Sequence, residues 1–476
     1  MNLVERHGRQ LGLAGLALLA LPLAWVSREL GASSVVVILS AFAGGVLLVH
    51  IWRDIQIGAL LLLFLGYSRL SNALVSVGLP SLMKLFVAGL ILLIVIRWIW
   101  QNETLGNWLR PACIYGAYTL LFLTSVYRAL EPERVFAGAS PLFTNGIIFV
   151  LVVALIGKEH DLRRSIWALL AAGGLVGAVS LFQFATGTFG NTYLGIATPQ
   201  VRNIVADIND YRLSITGLGH NESAQLMVVL VPLAVSRWLG EKRGLLRILA
   251  VLVLAIIGLV VLLTYSRSML LVLAAVAGLL LLRLNVRPRY WILLGAAGAL
   301  FLLALPDAYV DRLTELTDVL TLQNADQISD PALRGRLSEN IVAFQLFNDN
   351  WLFGVGEGNY EAHYQQYSRR LGLDERRNPR AAHNLYLEIA AEHGVVGLIA
   401  LATLEVAVFS GLLRAYQTSV GTEQQAMIAA FGIAVLALLL SHLFLHAIVP
   451  RYFWILHGIA LAVPRMHTSA GQIERQ

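Results

Sequence analysis

The chain has 476 residues, 57% hydrophobic and only 13% charged, with a mean hydropathy of +0.70 and a formal net charge of +6. A soluble domain carries about a quarter of its residues as charges, so the composition excludes a soluble globular protein and indicates a polytopic membrane protein. The single cysteine, Cys113, excludes an internal disulfide and a cysteine-based metal cluster. In such a protein a basic excess reports loop orientation first and an anionic ligand second, and no nucleic-acid partner is expected. The lysines are only Lys84, Lys158 and Lys242, so the positive charge is nearly all arginine. That bias is either compositional or chemical, since a guanidinium fork binds phosphate bidentately where an ammonium cannot.

The first stretch, MNLVERHGRQLGLAGLALLALPLAWV, has the charged start and apolar run of a signal peptide. No small-x-small cleavage site follows, so it reads as a retained first helix. Apolar runs able to span a bilayer fall near 11–26, 34–51, 56–68, 81–98, 111–127, 143–157, 165–186, 222–238, 245–264, 268–283, 290–305, 384–413, 425–446 and 451–464. Some are shorter than the usual ~20 residues, so two early ones are open to a partial or re-entrant reading, and 12 to 14 spans are expected. Three basic clusters, Lys158/Arg163/Arg164, Arg237/Lys242/Arg243/Arg247 and Arg283/Arg287/Arg289, fall on one side when the spans alternate. That side is cytoplasmic by the positive-inside rule and carries both termini. The expected organisation is transmembrane helices through 305 with an outer loop at 187–221, an outer loop domain at 306–382, C-terminal transmembrane helices at 383–464 and a cytoplasmic tail at 465–476. Within the loop domain, Asp330-Pro331 is a good cap and first helical position. Leu333, Leu337, Ile341 and Phe344 follow at helical spacing, then comes a Gly-rich turn in NWLFGVGEGNY and a second short helix in EAHYQQYSRRL.

Candidate chemistry gathers on the outer face. Arg267 is trapped between two apolar runs with no room for a loop, and an arginine at depth costs on the order of 3 kcal/mol. It is either a snorkelling anchor or a cation facing an anionic ligand. Arg212, in YRLSITGLGHNESAQL, and Arg334 and Arg336, early in the loop helix, are each open to a solvated reading. Together with Arg267 they place four arginines on the face that also holds His383, as a pyrophosphate would require without a metal. Asp207, Asp210, Glu131 and Glu133 are spaced acids that would suit a divalent ion but are ordinarily just solvated, so no metal and no cofactor is assigned. The GVGEG run lacks the Lys-Ser/Thr of a nucleotide P-loop.

The stretch AAHNLYLEIAAEHGVVGL opens an apolar run on His383-Asn384 and then carries Glu388, Glu392 and His393. Eleven residues separate His383 from Gly394, about three turns, which predicts one helical face from His383 down through Gly394 and Gly397, smooth enough for another helix to pack closely. A histidine above the membrane can take a proton from a hydroxyl at neutral pH, or it can be a helix cap or an interfacial residue. Glu388 reads as interfacial. Glu405 lies deep in the span, either bonded to another helix or neutralising a buried arginine.

His383-Asn384, nine residues, Gly394, two residues and Gly397 resemble the histidine motif of bacterial O-antigen ligases. Arg267-Ser-Met-Leu-Leu271 is similar to the family's Arg-x3-Leu element, and RLSITGLGHNESA to its earlier outer-loop element. RGRLSENIVAFQLFNDNWLFGVGEGNY looks like the outer loop shared by O-antigen ligases and the related polymerases. The resemblance covers roughly residues 212–460. It implies an all-α, GT-C-like fold in the bacterial inner membrane and a metal-independent, inverting glycosyl transfer on the periplasmic face. The donor would be a glycan on undecaprenyl pyrophosphate and the acceptor a sugar hydroxyl of lipid A–core. His383 would be the base, and Arg212, Arg267 and Arg336, with Arg334 as a further candidate, would neutralise the leaving pyrophosphate. One alternative is a polymerase with a lipid-linked acceptor. A different class, a lipid-linked-oligosaccharide transporter, would need ionisable residues near mid-membrane, of which Glu405 is the clearest.

Overall fold

The computed structural model describes residues 44–71, 75, 81–101, 108–157, 159–193, 195–200, 211–284, 331–373, 380–446 and 450–465. Expectations for 11–26, 290–305, Asp207 and Asp210 lie outside these residues, as do 306–330 and nearly all of the C-terminal tail. Met1–Gly58 forms one compact unit and Ala59–Gln476 a second, and everything below concerns the second.

The protein is an all-helical, multi-pass membrane protein, with one isolated β-bridge, Ala197 to Ile215, among the described residues. In chain order the helices are α1 (Ile55–Ser68), α2 (Leu82–Gln101), α3 (Leu109–Thr124), α4 (Pro132–Leu155), α5 (Glu159–Ala185), α6 (His220–Val228), α7 (Val231–Gly240), α8 (Gly244–Leu263), α9 (Arg267–Arg283), α10 (Pro331–Asp349), α11 (Tyr360–Arg370), α12 (Leu385–Thr418), α13 (Glu423–Ser441) and α14 (Arg451–Ala462). Seven helical stretches among the described residues are long and apolar enough to cross a bilayer. Several other apolar runs form shorter helices, of 16 residues in α3, 17 in α9 and 12 in α14. The run at 222–238 bends between α6 and α7, because Pro232 has no N–H to continue the ladder.

Polar contacts set the two ends of the bundle. At one end Arg237, fully buried, donates to Glu241 (3.3 Å) and Glu423 (3.0 Å), while Arg163 and the Trp167 indole also donate to Glu241. Arg163 and Arg237, from two of the basic clusters, thus share one carboxylate and tie α5, α7 and α13 together. At the far end of α13, the backbone N–H of Leu385 donates to His442 O and Leu445 O. Nineteen residues of α13 separate these ends, about 28 Å at helical rise, close to the hydrocarbon thickness of a bilayer.

The loop helices pack on this second end. Val342, Ala343 and Leu346 of α10, Val355, and Tyr360 and Tyr364 of α11 form a core with Ala382 and Ala391. The helix at Pro331 forms as its spacing predicts. Ser338, Glu339, Val342, Ala343 and Leu346 are buried, whereas Ile341 is half-buried and Phe344 is exposed. The small and polar residues face inward because they meet another helix and a charged site. Phe344 turns outward with Trp351, Leu352 and Phe353, an apolar and aromatic group suited to a membrane interface.

Gly394 breaks α12. Its backbone has φ 64 and ψ −157, outside any helix, and a β-carbon there would collide with the Leu352 carbonyl group. Gly354, at φ 67, is its counterpart, because a β-carbon on it would strike the backbone of Glu392. Between the two glycines four backbone bonds form: Val355 N to Ala391 O (3.0 Å), Gly356 N to Glu392 O (2.8 Å), Val395 N to Trp351 O (2.8 Å) and Val396 N to Leu352 O (3.3 Å). The loop turn therefore satisfies the peptide groups that the break releases. The continuous His383–Gly394–Gly397 face expected from periodicity does not exist, since the glycine ends one helix segment and splices the loop into it. Gly394→Ala should lower the unfolding midpoint of the purified protein, at a cost on the order of 3 kcal/mol from forced backbone geometry and lost bonds. Gly354→Ala should act less than additively with it, having broken the same contact. A Gly394→Ala protein with the wild-type midpoint would mean that the helix is continuous.

Candidate functional site

His383 precedes α12 rather than sitting on it. Its φ is 49, a left-handed conformation that costs a non-glycine residue on the order of 1 kcal/mol. The cap is Asn384, whose Oδ1 accepts from the N–H groups of Tyr386 (3.0 Å) and Leu387 (3.2 Å). The histidine is thereby relieved of capping and its ring is held at the helix entrance. Nδ1 lies 2.8 Å from Glu339 Oε2 and 3.1 Å from Ala381 O. A carboxylate and a carbonyl only accept, so Nδ1 carries a hydrogen and Nε2 is left for another partner. The imidazole is about a quarter exposed, so a ligand can reach it.

Glu339 comes from the middle of α10, nearly fully buried, and its other oxygen is 3.6 Å from Arg380 Nη1. The Tyr360 hydroxyl donates to the Glu339 carbonyl (2.7 Å), and the Tyr360 N–H donates to Glu392 Oε1 (3.0 Å), linking α10, α11 and α12. Burial raises the Tyr360 phenol well above its ordinary range, so it stays a donor. His446, beyond α13, places its ring 5.1 Å from that of His383, and burial pushes its pKa down. Glu339, Arg380 and His446 were not singled out from sequence. Nothing local marks them, because their partners are tens of residues away.

The arginines divide into two groups. Arg212 donates from Nε to Thr264 O (2.9 Å) and from Nη2 to Tyr265 O (3.1 Å), and Leu213 N donates to Leu263 O (2.9 Å). Arg212 therefore clamps the turn between α8 and α9, where Tyr265 is left-handed at φ 52 and Arg267 becomes the first residue of α9. The helix dipole there adds to the guanidinium charge in favouring an anion. Arg336 and Arg334 are half-buried on α10. Arg336 is about 60° around the helix from Glu339 and Arg334 about 140°, so Arg336 shares the His383 face and Arg334 does not. α6 follows the Arg212 segment and packs against α9 and α13.

Among the acids, Glu131 pairs through its carboxylate with Arg134 and through its main chain with Asn359, and Glu133 is exposed. The described residues that could hold a metal ion are instead Glu357, Glu392 and His393, with donor atoms within 4.8 Å of one another. His393 Nε2 and Glu357 Oε2 are 2.7 Å apart. These residues head a cavity of about 600 Å³ lined otherwise by apolar side chains of α3, α12 and α14, among them Leu121, Leu401 and Trp454, with Glu388 also on its wall. Glu405 is bonded to His457 of α14 at 2.8 Å, so of its two expected partners it has the helix rather than an arginine.

The splice, the loop helices and the motif histidine lie in one continuous stretch of sequence. Residues 250–402 match the O-antigen ligase family. This O-antigen ligase match takes in Arg267, Arg334, Arg336, Glu339 and His383, together with Gly354 and Gly394, and leaves Arg212 and His446 outside. At the level of the family it implies a glycosyltransferase-like enzyme, a ligase or polymerase acting on lipid-linked glycans. No curated protein matches the chain. Asn384→Ala should lower stability by about 1 kcal/mol through loss of the cap, with Asn384→Asp close to wild type in the same thermal-unfolding measurement. Equal stability of the alanine variant would show that the cap does not hold the helix entrance.

Proposed function

We propose that the protein is an inverting, metal-independent glycosyltransferase that moves a glycan from undecaprenyl pyrophosphate to a sugar hydroxyl of lipid A–core, on the periplasmic face of the bacterial inner membrane. The observation that carries this reading is the His383 ring, partly open to a ligand and held through Nδ1 by Glu339 Oε2 and Ala381 O, which leaves Nε2 for the acceptor. The acceptor oxygen attacks the anomeric carbon as the C1–O bond to pyrophosphate breaks, and the hydroxyl proton passes to Nε2. The electron pair of that bond leaves with the prenyl pyrophosphate, whose growing charge falls to Arg267 and Arg336. Arg212 fixes the turn that carries Arg267 and adds to the positive field, and Arg334, on the far side of α10, is the weakest of the four. Base and cations together account for both halves of the reaction, so the mechanism requires no metal. Stabilising the leaving charge is worth about 10²–10³ in rate where a single donor has been removed in other enzymes.

A polymerase would use the same chemistry with a second lipid-linked glycan as acceptor, and the glycolipids of a strain lacking the gene separate the two. Complete polymer held on the prenyl carrier with bare lipid A–core identifies a ligase. Lipid A–core bearing a single repeat unit identifies a polymerase and overturns the acceptor assignment. Complementation with Arg267→Ala should leave the defect in place, with turnover of the purified variant down about 10²-fold or more. Full complementation would remove Arg267 from the donor site.

A further inference from the structure

We propose that Glu339 is a positioning residue for the base. This rests on the reading of His383 as that base. Glu339 is 2% exposed, and a carboxylate loses several kcal/mol of hydration on such burial unless its oxygens find partners. The closer partner is the imidazole, at 2.8 Å, whereas Arg380 stands off at 3.6 Å. The tight contact is thus made to the one partner that must change charge. A proton arriving at Nε2 creates an imidazolium whose second N–H already points at Glu339, and no group has to move to stabilise it.

The carboxylate also selects the tautomer. With Oε2 as an acceptor-only partner, Nδ1 cannot present its lone pair there, and Nε2 faces the acceptor sugar. The ring itself is placed by the left-handed backbone of His383, by the Asn384 cap behind it and by the Tyr360 hydroxyl that holds the Glu339 segment of α10. Other titratable groups in this neighbourhood are Arg336 on α10, Arg380 before α12, His446 beyond α13, Glu361 on α11 and Glu222 on α6. Of these, Arg380 touches Glu339 and His446 stacks edge-on to the His383 ring. Neither makes the Nδ1 bond.

The test uses purified full-length protein in lipid nanodiscs, with acceptor-dependent release of prenyl pyrophosphate followed against pH. Glu339→Gln keeps the shape but can donate its amide N–H to Nδ1 and so stabilise the wrong tautomer. It should lower kcat by about 10²-fold or more, with KM for the donor changed by less than about threefold. The acid limb of its pH–rate profile should lie at lower pH than that of wild type, because the charge that favoured the imidazolium is gone. Glu339→Asp should recover part of the loss and the wild-type acid limb. Should Glu339→Gln not fold, the Asp variant gives the same readouts, with kcat reduced through the longer contact and the acid limb unmoved. A Glu339→Gln protein with wild-type kcat and an unmoved acid limb, while His383→Ala is inactive, would make Glu339 a structural partner of Arg380 only and overturn the proposal. An active His383→Ala protein would instead overturn the reading on which the proposal rests.

Discussion

The splice at Gly394 is the contact on which the rest of the site depends. A helix that breaks near the surface of a bilayer releases peptide groups that neither lipid nor neighbouring side chains readily satisfy. Here the loop turn at 351–356 supplies them, and it can approach only because residues 354 and 394 both lack a β-carbon. The same contact anchors the loop helices. α10 and α11 are fastened to the first turns of α12 by backbone bonds and by the core around Tyr360 and Ala391, so Glu339 is delivered to His383 by a rigid frame. A purely apolar interface would gain little here, since lipid tails are as apolar as leucine, and backbone hydrogen bonding is the stronger organiser.

Strain and charge are concentrated at one end of the bundle. Two of the left-handed non-glycine residues, Tyr265 and His383, lie directly beside the groups given chemical roles, Arg267 and the imidazole. Each is held by a second element: Arg212 binds the Tyr265 carbonyl, and Glu339 binds the His383 ring. At the other end, about one bilayer thickness away, the buried Arg237 and Glu241 form an ion network with Glu423. In the proposed mechanism, charge neutralisation falls to the Arg267 turn and the Arg336 face of α10, and proton transfer to His383. The head of the large cavity carries Glu357, Glu388 and Glu392 beside His393, a lining unlike the arginine-bearing elements.

Much of this was legible in the amino-acid order. The apolar runs and the arginine-rich loops mark a multi-pass membrane protein, Asp330-Pro331 marks the start of a loop helix, and Arg267 stands out because no loop is available to it. The hidden parts share one physical cause, which is dependence on partners far along the chain. Eleven residues between His383 and Gly394 mimic helical periodicity, yet the break is stabilised only by Trp351 to Gly356, some forty residues earlier. The inward face of α10 does not follow from apolar spacing alone, because next to a membrane Phe344 gains by facing outward. Glu339 carries no local mark, since its partners His383 and Arg380 lie about forty residues further on. Asn384 could have been found, since an asparagine before an apolar helix is a cap by its own chemistry.

The claim that most of the account leans on is that His383 Nε2 receives the acceptor proton. The most direct measurement is chemical rescue: acceptor-dependent turnover of purified His383→Ala with and without added imidazole. The account predicts a nearly inactive variant that regains turnover as neutral imidazole rises, while wild type does not respond. A His383→Ala protein that turns over at the wild-type rate without imidazole would contradict it.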